Sequence, residues 1–287
     1  MKFTQPVLIK KLNEEYKMPE GPVSKTPAVA GQVLVKGDGA GTVTSDQMKM
    51  YGSATATCMF MMQWSRPDIF NAVRGLARHM TAPREAHVHA LMTLMKYIMH
   101  TKHRGLLIAP KDMWSAGYKF KIHCRSDSDY ATNPGDQKSI SGGLVFVNDI
   151  PISFQSITQK FVMLLVMEAE IAAGVMVAQD MLYIYRLLES LELEVELPMV
   201  LEMDNSGAVD IANSWSVGGR TRHVDVRNYF LHELKDQGLL VIRRIAGESN
   251  DADIFTKNVT SAIFDRHVPL YMGPDEYVSS RGSSGEA

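Results

Sequence analysis

The chain has 287 residues, of which 45% are hydrophobic and 22% charged, with a formal net charge of −2. That composition suits one large folded domain or two modest ones, and no apolar run reaches the roughly 18 residues of a membrane span. The first residues lack the apolar core and small-residue cleavage site of a secretory signal, and the isolated Cys58 and Cys124 lack metal-type spacing and read as free thiols.

No internal repeat is present. Residues 1–17 predict a short helix with Leu8, Leu12 and Tyr16 on one face, and 18–45, rich in Pro, Gly, Ser and Thr, a linker. Residues 51–64 are small and apolar and predict a buried helix. Two further helices form a hairpin: Ile69, Val73, Leu76 and Met80 recur after Pro67, and Val88, Leu91, Met95 and Ile98 after Thr81 and Pro83. From Gly117 the period changes to two. Residues 118–127 alternate Phe120, Ile122 and Cys124 with polar side chains, and 143–147 and 150–155 flank an Asn148-Asp149 turn. Residues 161–165 are ambiguous between strand end and helix start. A long helix over 167–191 follows, with Ala172, Ala173 and Gly174 permitting close approach to a sheet. Then come a buried strand at 200–204, helices at 208–214 and 224–237, a strand at 239–245, and a broken helix from near Asn250 towards Leu270. The predicted class is α/β, a mixed sheet with helices on its faces.

The net charge hides an asymmetry. Residues 1–117 carry a net +7 and residues 118–287 a net −9, so the first half suits phosphate contacts and the second suits cations. Four acids stand at element ends or on a helix facing the sheet: Asp127 ending the first strand, Glu170 in the first turn of the long helix, Asp204 ending the buried strand, and Asp253 opening the last helix. One aspartate at a strand end is usually a turn or capping residue. Four on these elements form an oxygen-rich set suited to magnesium, whose charge offsets the burial of carboxylates.

The surrounding segments extend the pattern. They are Ser126-Asp127-Ser128-Asp129-Tyr130, Lys138-Ser139-Ile140-Ser141-Gly142, Met167-Glu168-Ala169-Glu170-Ile171, Asp204-Asn205, Thr221-Arg222-His223-Val224-Asp225 and Ala252-Asp253-Ile254-Phe255-Thr256-Lys257. In order and spacing they resemble the ribonuclease H domain of copia-type LTR retrotransposon Pol polyproteins. The resemblance implies a ribonuclease H-like mixed sheet with flanking helices, preceded by a small helical segment. It implies a metal-dependent hydrolase, an endonuclease cutting the RNA strand of an RNA–DNA hybrid, with two Mg2+ ions for which Mn2+ can substitute. Asp127, Glu170, Asp204 and Asp253 would be both catalytic residues and metal ligands, with Asp127 bridging the ions. It selects Asp127 over Asp129, Glu170 over Glu168 and Asp253 over Asp251. The chain departs from the family in Ser156-Ile157-Thr158-Gln159, where Ser-Lys-Lys-Gln is usual, and in Leu164-Leu165-Val166-Met167, where Leu-Ser-Ser-Thr is usual. Both changes remove polar residues near the substrate groove.

The first half resembles the end of the same family's reverse transcriptase and its connection, through Ser65-Arg66-Pro67-Asp68-Ile69 and residues 90–104. No Asp-Asp dipeptide is present, so polymerase activity is not expected of this chain alone. The implied partners are the hybrid and the remainder of the polyprotein, with no membrane, in the cytoplasm, retroelement particles or nucleus. The organisation read from sequence is an N-terminal helix and linker at 1–50, a helical hairpin at 51–117, a ribonuclease H-like domain at 118–272 and a disordered tail at 273–287. Lys96, His100 and His103 on one helix face, and Arg220, Arg222 and His223 at a helix start, are candidate nucleic-acid contacts; a solvated basic face and a plain helix cap are the structural alternatives. His87 and His89 point to different sides of a helix, against a zinc site, and the 19 methionines read as core filler. Two other functions compete: a catalytically inactive or domesticated nucleic-acid-binding remnant, and integrase-like DNA chemistry, against which Asp253 and the family motifs argue.

Overall fold

The computed structural model describes residues 1–16, 23–37, 41–110, 115, 117–214 and 222–273, with the side chains of 222–226 excepted. The tail at 274–287 and Arg220 lie outside the described residues. The chain divides into two compact units, Met1–Ile108 with Lys257–Ala287, and Ala109–Thr256. The sequence places a boundary after 272, whereas the contacts group the segment from Lys257 with the first unit.

In the first unit, β1 (Lys2–Phe3) leads into α1 (Pro6–Tyr16), α2 (Ser45–Trp64), a 3-10 turn (Pro67–Ile69), α3 (Phe70–Ala77), α4 (Glu85–His100) and β2 (Leu106–Leu107), which pairs antiparallel with β1. Helix α2 starts six residues before the apolar run suggests. A capping box explains the difference: Thr44 accepts from the Gln47 N–H while Gln47 accepts from the Thr44 N–H. On α1 the fully buried side chains are Ile9 and Leu12, with Leu8 and Tyr16 at the margin. Val88, Leu91, Met95 and Ile98 of α4 are buried as their spacing predicts.

The Arg-Pro-Asp turn is the unit's polar centre. Arg66, fully buried, donates through Nε and Nη2 to Asp68 (2.9 and 2.8 Å) and through Nη2 to Thr101 Oγ1 (2.7 Å), while Tyr97 donates its hydroxyl to Asp68 (2.5 Å). His79 and His87 stack at 4.0 Å and contact the Leu34 and Val35 carbonyls, which holds the linker on the helices. These histidines latch the linker to the helices. At the other end of the chain, α9 (Ser261–His267) and α10 (Pro269–Met272) also belong to this unit. Phe264 packs edge-on to Tyr97, and Asn258 bonds Asn71 and the Gln32 carbonyl.

The second unit holds β3 (Ile122–Asp129), β4 (Ile140–Val147), β5 (Ile150–Thr158), α5 (Val166–Ser190), β6 (Met199–Met203), α6 (Ser206–Asn213), α7 (Arg222–Asp236), β7 (Leu240–Arg244) and α8 (Asp253–Thr256). The sheet order is β5-β4-β3-β6-β7, antiparallel among the first three and parallel from β3 through β6 to β7. It is the mixed sheet with flanking helices that the sequence predicts. Asn148 and Asp149, both at positive φ, close the β4–β5 hairpin as a two-residue turn.

The core lies between the sheet and α5, where Ile171, Val177, Ala178 and Met181 meet Ile122, Cys124, Val145 and Leu201. Gly143 and Gly174 make this approach possible: a Cβ on Gly143 would stand 2.0 Å from Val177 Cγ1, and one on Gly174 would stand 3.2 Å from Met203 Sδ. By length and composition alone α5 passes as a membrane span. Its buried residues, interrupted by Glu170, serve the sheet instead. Residues 161–165, ambiguous in sequence, are neither strand nor helix.

Candidate metal centre

Three carboxylates converge because of strand register. On β3, Ser126 pairs with Met203, the last residue of β6, so Asp127 and Asp204 stand one step further on beside each other. Asn205 then caps α6 by accepting from the Ala208 N–H (3.0 Å) and turns the chain away directly after Asp204. Glu170 reaches the same place from the first turns of α5. Among the described residues, Asp127, Glu170 and Asp204 form a group in which one carboxylate oxygen from each lies within 4.8 Å of the others. Asp127 and Glu170 are 1% and 4% exposed, and Asp204 is half-buried.

Several polar residues fix this geometry. Gln159 Nε2 donates to Ser141 Oγ (2.9 Å) on β4 and to the Ala169 carbonyl (3.0 Å), which anchors the start of α5 one residue before Glu170. Thr256 donates its hydroxyl to Asp127 Oδ2, and Asn250 donates to the Ser126 carbonyl (3.0 Å). Gly142, paired with Asp127, lets this segment settle on the strand. A Cβ there would lie 2.6 Å from Thr256 Cγ2 and 2.9 Å from Phe255 Cβ.

The neighbouring acids have other work. Glu168 accepts from the Leu164 N–H (3.0 Å), and Asp251 pairs with Arg125, which also holds Glu202 (2.8 Å). Asp253 opens α8, half-buried, and is not part of the 4.8 Å group. Of the candidate nucleic-acid contacts, Lys96 is partly exposed on α4, and His100 and His103 are exposed at and just beyond its end. Arg222 and His223 begin α7, but their side chains, like Arg220, lie outside the described residues.

The three gathered carboxylates fit a divalent cation. Their donors are all hard oxygens, two of the groups are buried, and like charges this close repel until a cation joins them. Sequence reading missed Gln159, Thr256 and Asn250 as supports. Thr256 and Asn250 lie within three residues of Asp253, but that they act on β3 is a tertiary fact.

No family model matches the chain. It is 29% identical over 267 residues to the retrovirus-related Pol polyprotein from transposon TNT 1-94 of Nicotiana tabacum, covering 92% of this chain and 19% of that one. It is 28% identical over 203 residues to the retrovirus-related Pol polyprotein from transposon RE1 of Arabidopsis thaliana, covering 71% and 13%. The chain thus spans at most about a fifth of the length of these relatives. Among solved structures it is similar to LC11-RNase H1, isolated from compost, with 18% identity, a TM-score of 0.38, and coverage of 52% of this chain and 98% of that one.

Proposed function

We propose that the chain, which is similar over most of its length to retrovirus-related Pol polyproteins from transposons, is a ribonuclease H that hydrolyses the RNA strand of an RNA–DNA hybrid endonucleolytically. One observation carries the reading: the oxygens of Asp127, Glu170 and Asp204 gather within 4.8 Å at the end of the parallel strands. Those residues, with Asp253, would hold Mg2+, or Mn2+ in its place. Bound ions supply charge neutralisation for phosphodiester hydrolysis. The chain's own part is to hold the ligands in place. Thr256 orients the Asp127 carboxylate, Gln159 sets the start of α5, and Asn250 ties the 250–256 segment to β3. Lys96, His100 and His103, with Arg220, Arg222 and His223, are the proposed grip on the hybrid's phosphates. The remainder of the polyprotein is the proposed protein partner, in the cytoplasm, in retroelement particles or in the nucleus.

The test is a cleavage assay on the full chain with magnesium. RNA in a hybrid is cut and double-stranded DNA is spared, since the two differ at the 2′-hydroxyl. Asp127→Asn abolishes cutting and weakens Mn2+ binding by calorimetry while circular dichroism stays unchanged. An Asp127→Asn protein that cuts at the wild-type rate overturns the reading. A second reading, a binding remnant that does not cut, is favoured by the exposed apolar side chains of Ile157, Leu164, Leu165 and Val166, in the segments where the family usually carries polar residues. It predicts hybrid binding in calcium and no cleavage in magnesium.

A further inference from the structure

Helix α2 is long and almost free of charge: from Gln47 to Ser65 the only charged side chain is that of Lys49. Its buried residues, Tyr51, Ala54, Thr55, Cys58, Met61 and Met62, make one side. At about 100° per residue, Gly52, Ala56, Met59, Phe60, Gln63 and Trp64 fall on the other side within one arc of roughly 140°. A solvated helix carries its charges on such an arc. Here it is apolar, with Met59, Phe60 and Trp64 exposed by 37%, 54% and 65%. Single exposed apolar residues are ordinary on a protein surface, but a continuous face of them marks an interaction surface.

The face is graded in size along the helix. Its first half is small, with Gly52 and Ala56, and a Cβ on Gly52 would meet nothing within 4 Å. Its second half is large: the rings of Phe60 and Trp64, one turn apart, lie 6.3 Å from centroid to centroid at 45°. Two such faces run antiparallel about a two-fold axis at Ala56 complement each other. Phe60 of each copy enters the open space over Gly52 of the other, Trp64 meets Met48, and Lys49 meets Gln63 instead of a like charge. That is the reciprocal pairing a two-fold interface requires, and the small residue at its centre allows close helix approach.

We propose that this face of α2 joins two copies of the chain in an antiparallel, two-fold dimer. Area and charge select the occupant. Aromatic side chains offer roughly 150–250 Å2 each, so with Met48, 40% exposed, and its polar rim the face presents about 600 Å2 per copy. A pair would bury about 1,200 Å2, the lower end of the range for specific protein–protein interfaces. A nucleic-acid backbone or an anionic lipid surface finds only Lys49 here, too little charge to hold either. No carboxylate of the metal centre lies on α2, so the inference stands whether or not that centre cuts RNA.

The experiment is sedimentation velocity on the full chain over two decades of concentration, up to about 100 μM. The wild type shows a monomer–dimer equilibrium. Phe60→Ser with Trp64→Ser, both exposed positions, weakens it at least about tenfold. Gly52→Leu is the sharper variant. In one copy it points into open space and replaces a mid-helix glycine by a helix former, so the melting temperature of dilute protein holds or rises. In the dimer it takes the seat of the other copy's Phe60, and association is lost. Ala56→Cys, at the axis, gives a covalent dimer under mild oxidation, whereas Val7→Cys, 69% exposed on α1, does not. The proposal is overturned if the wild type stays monomeric across the range, if either α2 variant associates as the wild type does, or if Val7→Cys cross-links as readily as Ala56→Cys. A monomeric wild type whose affinity for RNA–DNA hybrid in calcium falls with Phe60→Ser and Trp64→Ser also overturns it, and assigns the face to nucleic acid.

Discussion

Two buried polar clusters, one in each unit, handle charge in opposite ways. In the first, Asp68 faces one guanidinium. Burial alone pushes its carboxyl up, but the coulombic and hydrogen-bonding pull of Arg66, with help from the Tyr97 hydroxyl, holds it below the ordinary carboxylate value. Every strong group there meets a protein partner of opposite sign or matching hydrogen-bond role, and the cluster joins the α2–α3 turn to the end of α4. In the second, three carboxylates converge within 4.8 Å. Gathering like charges works against folding, whereas a matched ion pair offsets part of its own desolvation. The contrast separates roles that burial alone does not: a balanced cluster is accounted for by structure, and a same-sign cluster points to a ligand.

The comparison breaks most sharply at Asp127. Asp127→Asn is expected to abolish hybrid cutting, while Asp253→Asn, outside the 4.8 Å group, lowers the rate by less; cleavage kinetics of the two variants side by side measure this. Equal losses would place Asp253 fully within the working site. Next in size is Arg66→Met, which leaves Asp68 buried without its guanidinium and is expected to cost about 3–5 kcal/mol in urea unfolding. Adding Asp68→Leu recovers most of the loss if the pair's value lies in mutual compensation. Thr256→Val removes the hydrogen bond to the Asp127 carboxylate at nearly constant shape, an expected cost of about 1.5–3 kcal/mol. It should also weaken Mn2+ binding, and Thr256→Ser should restore both, which a purely space-filling role for Thr256 does not predict.

The smallest effect concerns His123, which stacks on Phe146 at 4.4 Å in the second unit. Burial, and then the nearby Arg125 charge, hold its pKa below the ordinary 6.5. The neutral ring is the form the fold accepts, so its contribution is complete above pH 6.5 and is lost as the pH falls towards the lower folded value. Thermal melts between pH 7.5 and 5.5 should decline less for His123→Phe than for wild type.

Strong periodicity made much of the fold readable. The apolar repeats of α3 and α4, the alternation on β3 and the Asn148-Asp149 turn encode local geometry, and local geometry follows from neighbours in sequence. Where the sequence was silent, the deciding contact lay elsewhere. The start of α2 turned on a capping box rather than on hydrophobicity, and the assignment of residues 257–272 to the first unit turned on Asn258 and Phe264 meeting residues far away in the chain. Two side-chain readings depended on partners in the same way. The histidines at 79 and 87 are latched to the linker's carbonyls, and Arg66 is an internal charge paired with Asp68.

For the candidate site the division is similar. The sequence by itself determined which acids form the candidate set, their order along the chain, the asymmetry of charge and the family they resemble, because these depend only on residue identity and spacing, although β3 runs on past Asp127 to Asp129 where the sequence expects it to end. Only the tertiary structure decided that Asp127, Glu170 and Asp204 come within 4.8 Å of one another, and that Gln159 and Thr256 hold them there. Convergence depends on the register of β3 against β6 and on the bare backbone at Gly142, and both arise only once the strands have paired.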